Sequence, residues 1–226
     1  MGVCCRALSL RTVRVFVSIS AGHEGFPKGP IRCGPTRLRG RWGSLLSMVS
    51  DAELYELAER VGQKLRAAAR RIVTAESCTG GWVSKALTDV PGSSQWYECG
   101  FVTYSNAAKV RDLGVSTGTH ASFGAVSEQT VREMAEGALR VTHANVALAV
   151  TGIAGPDGAA PGKPVGTVWF CAAAREGTAI DIIAEEEFFE GDRAEVRSQS
   201  VQHALRLILR LDLPVRPEHP AGAQSA

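Results

Sequence analysis

Three short apolar runs, each closing on a small polar turn, constrain the fold of this chain most. Residues 71–75 run into Glu76-Ser77-Cys78-Thr79-Gly80-Gly81. Residues 96–104 run into Ser105-Asn106, and residues 146–150 into Thr151-Gly152-Ile153-Ala154-Gly155-Pro156. Runs of this length, β-branched or aromatic and bounded by Gly, Pro, Asn and Ser, read as strands. Helical patterns lie between them. Ser50 with Glu53 forms a capping box ahead of Leu54, Leu57, Val61 and Leu65, which predicts a helix to about residue 69. A short helix follows Gly81 through Leu87, another runs from Asn106 to Asp112 before Gly114, and a longer one runs from Ser127 to about Arg140. Residues 165–174 and 179–189 read as two further strands, a hairpin across 175–178. Asp192 with Glu195 caps a last helix carrying Val196, Leu205, Ile208 and Leu211. The expected fold is therefore α/β: a single three-layer α/β/α domain with a mixed sheet, over residues 48–213. Ligands in such sheets bind beyond the carboxyl ends of strands. The turns at Ser77, Tyr104 and Thr151 all leave such ends, so they are expected to converge on one crevice.

Charge sharpens the boundaries. The chain of 226 residues carries a formal net charge of +2. Residues 1–47 hold eight Lys or Arg against the single acid Glu24, leaving 17 basic and 22 acidic residues after them. The basicity belongs to the first segment, and the remainder has no bias toward polyanions, which argues against nucleic acid as a partner. That segment, with seven Gly and three Pro and no sustained period, reads as a basic, disordered leader. Its simplest account is a mis-assigned start, with Met48 as the natural one; a targeting segment and a basic binding tail are the other two readings. Residues 214–226 read as a disordered tail. No apolar run is long enough to span a bilayer, so no membrane association is expected. The six cysteines form no CxxC pair and no Cys/His cluster has zinc spacing, which points to a reduced, cytoplasmic protein without a structural metal.

The turns carry the candidate chemistry. Ser77 stands between a buried strand and a glycine-rich helix start, where a hydroxyl can be exposed beside free backbone amides. The same placement suits an N-cap or a phosphate cradle. Cys78 is a competing nucleophile, though it needs a lowered pKa and no histidine holds a privileged position to supply one. Lys109, one helical turn beyond Tyr104-Ser105-Asn106, can act as a base if burial depresses its pKa, and is otherwise a solvated helix lysine. Tyr104 can orient either group or fill a core position. The loop from Thr151 offers free amides to a carboxamide, ribose or phosphate, yet matches neither Gly-rich phosphate motif. Arg193, at the start of the last helix, suits a phosphate or is a surface arginine. The run Glu185-Glu186-Glu187 reads as a solvated face rather than a metal site.

The blocks TAESCTGG at 74–81, GFVTYSNAAK at 100–109, GAVSEQTV at 124–131, TGIAGPDG at 151–158, KPVGTVWF at 163–170 and FFEGDRAEVR at 188–197 occur in that order. Together they closely resemble the CinA C-terminal domain family over about residues 50–212, in its stand-alone form. The resemblance implies a Ser/Lys amidohydrolase that converts nicotinamide mononucleotide to nicotinic acid mononucleotide and ammonia, in pyridine-nucleotide salvage and without cofactor or metal. It places the nucleophile at Ser77, the base at Lys109 and the associated tyrosine at Tyr104. Substrate contacts are expected from Thr79, Gly80, Gly81, Asn106, Thr151, Gly152 and Arg193, with amides after Ser77, those of Thr79 and Gly80, as oxyanion donors and Arg193 on the 5′-phosphate. The family's older name leaves a second class open, a non-catalytic nucleotide-binding competence or damage-inducible protein. A small-molecule substrate and a homodimer or higher homo-oligomer complete the expectation.

Overall fold

The computed structural model describes residues 49–215, so the expected leader and most of the expected tail lie outside the described residues. The elements follow in the order α1 (Asp51–Ala67), β1 (Ile72–Glu76), α2 (Trp82–Thr88), β2 (Tyr97–Val102), α3 (Asn106–Leu113), α4 (Thr117–Phe123), α5 (Glu128–Val141), β3 (Val146–Gly152), β4 (Thr167–Glu176), β5 (Ala179–Phe188) and α6 (Arg193–Arg210). One sheet forms in the order β2-β1-β3-β4-β5, with β1 parallel to β2 and β3, and β3, β4 and β5 antiparallel.

Side-chain alternation along the strands builds two cores. On β3, Val146, Leu148 and Val150 face α1, α2 and α6, joined by Val168 and Phe170 of β4. Ala147 and Ala149, with Ala75 and Ala173, face Val131, Met134, Ala138 and Leu139 of α5. The alanines keep that side of the sheet flat, so α5 approaches closely. Gly137 carries this further, because a Cβ there would run into the Leu113 carbonyl of α3. The result is the three-layer arrangement with a mixed sheet. β1 is buried at all five positions, as a central parallel strand must be.

Both expected capping boxes form: Ser50 with Glu53 opens α1, and Asp192 with Glu195 opens α6. α4 is a helix that apolar periodicity does not announce, since none of its residues is buried. Ser116 caps it, and Glu133 of α5 accepts from the Ser116 N–H at 2.7 Å and the Thr119 hydroxyl at 2.5 Å. The acidic run on β5 is solvated only in part. Its two-residue period turns Glu185 toward α6, where it accepts from Arg210 Nη1 at 2.7 Å and meets His203 Nε2 at 2.6 Å. Glu186, on the opposite face, is exposed.

The chain goes from β1 to β2 on one side, then crosses back over β1 to reach β3 on the other. That reversal makes a switch point between β1 and β3, where the carboxyl ends of neighbouring strands diverge and leave a crevice.

Candidate active site

The Ser77 turn fills that crevice, and its backbone is held from two sides. The Ser77 N–H donates to Val150 O at 3.0 Å, tying the turn to β3, and the Gly80 N–H returns to Ser77 O at 3.1 Å. Below the turn, Glu76 is 1% exposed. One carboxylate oxygen accepts from the Gly81 and Val83 N–H groups at 3.0 and 3.1 Å, and the other from the Ser84 N–H and hydroxyl at 2.8 and 2.6 Å. α2 has Gly81 at its N-cap, with φ +92° and no side chain to cap with. The buried carboxylate does that work and satisfies the positive end of the helix.

These bonds redraw the expected set of donors. The amides of Gly80 and Gly81 are consumed inside the chain, and Thr79, Gly80 and Gly81, all expected as substrate contacts, lie outside the pocket that holds Ser77. Among the described residues, the N–H groups of Cys78 and Thr79 take no oxygen acceptor. The Thr79 side chain is buried and its hydroxyl has no partner.

Lys109 reaches the same place from the next strand. The Thr103 N–H bonds Glu76 O at 2.9 Å, extending the β1–β2 pairing, and Ser105 then caps α3 through the Ala108 N–H. One turn in, Lys109 is 1% exposed. Its Nζ lies 2.9 Å from Ser77 Oγ and donates to Thr103 O at 2.7 Å and Tyr104 O at 3.4 Å. No carboxylate pairs with it among the described residues, so burial goes uncompensated and pulls its pKa from 10.5 to about 8. In the neutral amine, the two carbonyls take two N–H bonds, which turns the lone pair toward the Ser77 hydroxyl.

Cys78 has the opposite character. Burial pushes its thiol up to about 12, away from the thiolate a nucleophile requires. Tyr104 is 60% exposed, and its hydroxyl accepts from Arg193 Nη2 at 2.9 Å rather than meeting Ser77. Only its backbone carbonyl touches the lysine. Arg193 also donates through Nη1 to Gly155 O at 2.7 Å, which fastens the loop after β3 to α6. The Thr151 hydroxyl donates to Ala125 O at 2.9 Å, holding the segment before α5 against the crevice.

The pocket so enclosed, about 230 Å³, is lined by Ser77, Lys109, Tyr104, Asn106, Thr151, Gly152 and Arg193. The three polar turns do converge. Asp157 and Val126 also line it. They stand within the quoted blocks, but nothing local marks them as pocket residues. Beyond Arg193 lies a wider concavity of about 680 Å³ that shares Ala154, Gly155 and Arg193 with it and continues along Val165 and Arg197.

The fold and the site define an α/β protein whose crevice sets a serine hydroxyl against a buried, unpaired lysine amine at a topological switch point. The model of the CinA C-terminal domain matches residues 54–211, and the chain belongs to that family. It is similar to the nicotinamide-nucleotide amidohydrolase PncC of Escherichia coli K12, 52% identical over 160 residues, covering 71% of this chain and 95% of the relative. The protein of the same name from Pseudomonas putida is 48% identical, covering 69% of this chain and 94% of the relative. Among solved structures, the competence/damage inducible protein CihA from Agrobacterium tumefaciens superposes with a TM-score of 0.67 at 44% identity, covering 72% of this chain and 96% of that one.

Proposed function

We propose that this chain hydrolyses the carboxamide of nicotinamide mononucleotide to nicotinic acid mononucleotide and ammonia, with Ser77 as nucleophile and Lys109 as base. The observation that carries the reading is the 2.9 Å contact between Ser77 Oγ and a lysine amine whose pKa burial lowers to about 8. A non-catalytic nucleotide binder accounts for the pocket but gives no use to a desolvated amine aimed at a hydroxyl. The kinship with amidohydrolases named for nicotinamide nucleotides supports the substrate class.

The proposed reaction runs through an acyl-enzyme in two stages. Neutral Lys109 takes the Ser77 proton as Oγ attacks the amide carbon. The oxyanion that forms is met at the turn by the backbone N–H of Cys78, which lines the pocket beside Ser77, such a donor being worth roughly 3–4 kcal/mol in a preorganised site. The Lys109 ammonium then protonates the departing nitrogen, and ammonia leaves an ester on Ser77. Water attacks the ester with Lys109 again as base, and the acid departs as Ser77 recovers its proton. No step draws on a metal or cofactor. Tyr104 lines the pocket with its hydroxyl on Arg193 and its carbonyl on the Lys109 amine.

The pocket of about 230 Å³ suits the pyridine ring and its carboxamide. The ribose and phosphate extend past Asn106 and Arg193 toward the larger concavity, where the guanidinium keeps donors for the phosphate after serving Gly155 and Tyr104. The enzyme works as a cytoplasmic homodimer or higher homo-oligomer; among the described residues no helix is long and apolar enough to cross a membrane. The test is product analysis of the purified chain with nicotinamide mononucleotide. Equimolar ammonia and nicotinic acid mononucleotide are expected, and no turnover of any pyridine nucleotide would overturn the reading.

A further inference from the structure

Among the described residues, Asp157 is the single carboxylate that lines the Ser77 pocket, and no step of the reaction above uses it. It sits on the loop between β3 and β4, in a stretch fastened at both sides. Two residues before it, Gly155 O accepts from Arg193 Nη1 at 2.7 Å. Three residues after it, the Ala160 N–H donates to Lys163 O at 3.0 Å and the Lys163 N–H returns to Ala160 O at 2.8 Å. Lys163 Nζ then donates to Phe123 O at 2.7 Å, tying the loop to the end of α4. Asp157 itself is exposed, and among the described residues no hydrogen bond or ion pair satisfies its carboxylate.

The cations of the pocket do not claim it. Lys109 Nζ is committed to Ser77 Oγ, Thr103 O and Tyr104 O, and Arg193 to Gly155 O and the Tyr104 hydroxyl. An ionised carboxylate only accepts hydrogen bonds. Beside a substrate that bears a phosphate, a further negative charge opposes binding unless the substrate brings donors to it. Nicotinamide mononucleotide brings carboxamide N–H groups, which belong with Ser77 and Lys109, and the vicinal 2′ and 3′ hydroxyls of its ribose. The loop gives the hydroxyls their place. Ala154 and Gly155 form the wall common to the pocket and the larger concavity; of the next two residues, Pro156 lines the concavity and Asp157 the pocket. The ribose joins the ring in one to the phosphate in the other, so it crosses that wall beside Asp157. A carboxylate on a ribose hydroxyl is the pairing that dinucleotide-binding folds use, and a charged acceptor makes it strong.

We infer that Asp157 is the ribose-recognition residue of this site, its carboxylate accepting from the 2′ and 3′ hydroxyls of the bound nucleotide. This rests on the amidohydrolase reading above. It makes the site selective for a ribonucleotide over its deoxy counterparts. The contact lies away from the carboxamide, so it acts on binding and not on the chemical step.

The test compares the wild type with Asp157→Ala and Asp157→Asn in the full chain, on nicotinamide mononucleotide and on its 2′,3′-dideoxy form, which keeps the cationic ring and the phosphate. Asp157→Ala is expected to raise KM for nicotinamide mononucleotide by about 10- to 100-fold, the scale of hydrogen bonds to a charged group, with kcat changed less than about threefold. Asp157→Asn, which keeps one neutral acceptor, should fall between Asp157→Ala and the wild type. The wild type should disfavour the dideoxy form by a similar factor, and Asp157→Ala should use the two substrates within about threefold of each other. If Asp157 only shapes the loop or answers the charge of the ring, Asp157→Ala loses equally on both substrates and the preference for the diol survives. That result overturns the inference, as does an unchanged KM. If the wild type turns over no pyridine nucleotide, the deamidase reading fails first. Calorimetric binding of the same two compounds to the wild type and Asp157→Ala then decides the ribose contact separately: a preference for the diol that is present in the wild type and absent from the variant supports it, and any other pattern, no binding included, overturns it.

Discussion

Replacing Lys109 by Met should abolish catalysis and yet make the protein more stable at neutral pH. Wild-type Lys109 carries its charge into a buried site without a carboxylate partner, and the cost appears as the fall in pKa from 10.5 to about 8. At about 1.4 kcal/mol per pKa unit, the penalty amounts to about 3 kcal/mol wherever both folded and unfolded states hold the proton, below pH 8. Met is close in volume and carries no charge. It forfeits the bonds to Thr103 O and Ser77 Oγ, a loss of about 1–2 kcal/mol. The net expectation at pH 7 is a gain of about 1–2 kcal/mol for Lys109→Met. The sign reverses with pH. Between 8 and 10.5 the unfolded chain binds a proton that the folded chain has shed, so wild-type stability rises relative to the variant. By pH 10.5 the penalty is nearly gone and only the lost bonds remain, leaving the variant the less stable by about 1–2 kcal/mol. Urea unfolding of both proteins at pH 7 and pH 10.5 measures the crossing. A variant less stable by the same amount at both values would refute the claim that Lys109 is buried at a cost.

Two further outcomes follow from the same geometry. With the neutral amine of Lys109 as the proposed base, kcat/KM should rise with pH through a midpoint of about 8 and level off above it; a flat profile from pH 6 to 9 would exclude Lys109 as the base. Arg193→Ala should raise KM for nicotinamide mononucleotide by about 10- to 100-fold, the scale of a charge-assisted hydrogen bond, and leave KM for nicotinamide riboside nearly unchanged. Steady-state kinetics on the two substrates separate the phosphate contact from the loop and tyrosine contacts that Arg193 also makes.

What the sequence made legible was local. Capping boxes at Ser50 and Asp192, strand runs ending in small polar turns, and the glycine that stops α3 at position 114 all announce themselves within a few residues, and the elements form where those signals stand. The approach of Ser77, Tyr104 and Thr151 followed from one rule about strand ends. α4 was not legible, because its residues stay out of the core and its stability comes from one serine cap and one glutamate on α5. Nor was the division of labour among backbone amides. Glu76 reads as a strand terminus, yet its carboxylate reaches forward to Gly81, Val83 and Ser84 and takes the Gly81 amide that a reading of the turn alone assigns to a ligand. Tyr104 and Arg193 are 89 positions apart, and their hydrogen bond decides that the tyrosine hydroxyl braces the arginine and not the serine. Cys78 stands next to Ser77 in sequence, and only burial reveals that its thiol is held away from the thiolate form. Each of these depends on which groups the fold desolvates and which distant partner arrives, and spacing along the chain carries neither.

The central claim is that Ser77 attacks the carboxamide of nicotinamide mononucleotide with Lys109 at its side. Ammonia release by Ser77→Ala, measured beside the wild type and with its fold verified by thermal unfolding, tests this most directly. The expected result is a loss of at least about a thousandfold, the scale on which removal of a catalytic nucleophile acts; a Ser77→Ala variant within about tenfold of the wild type would contradict the account.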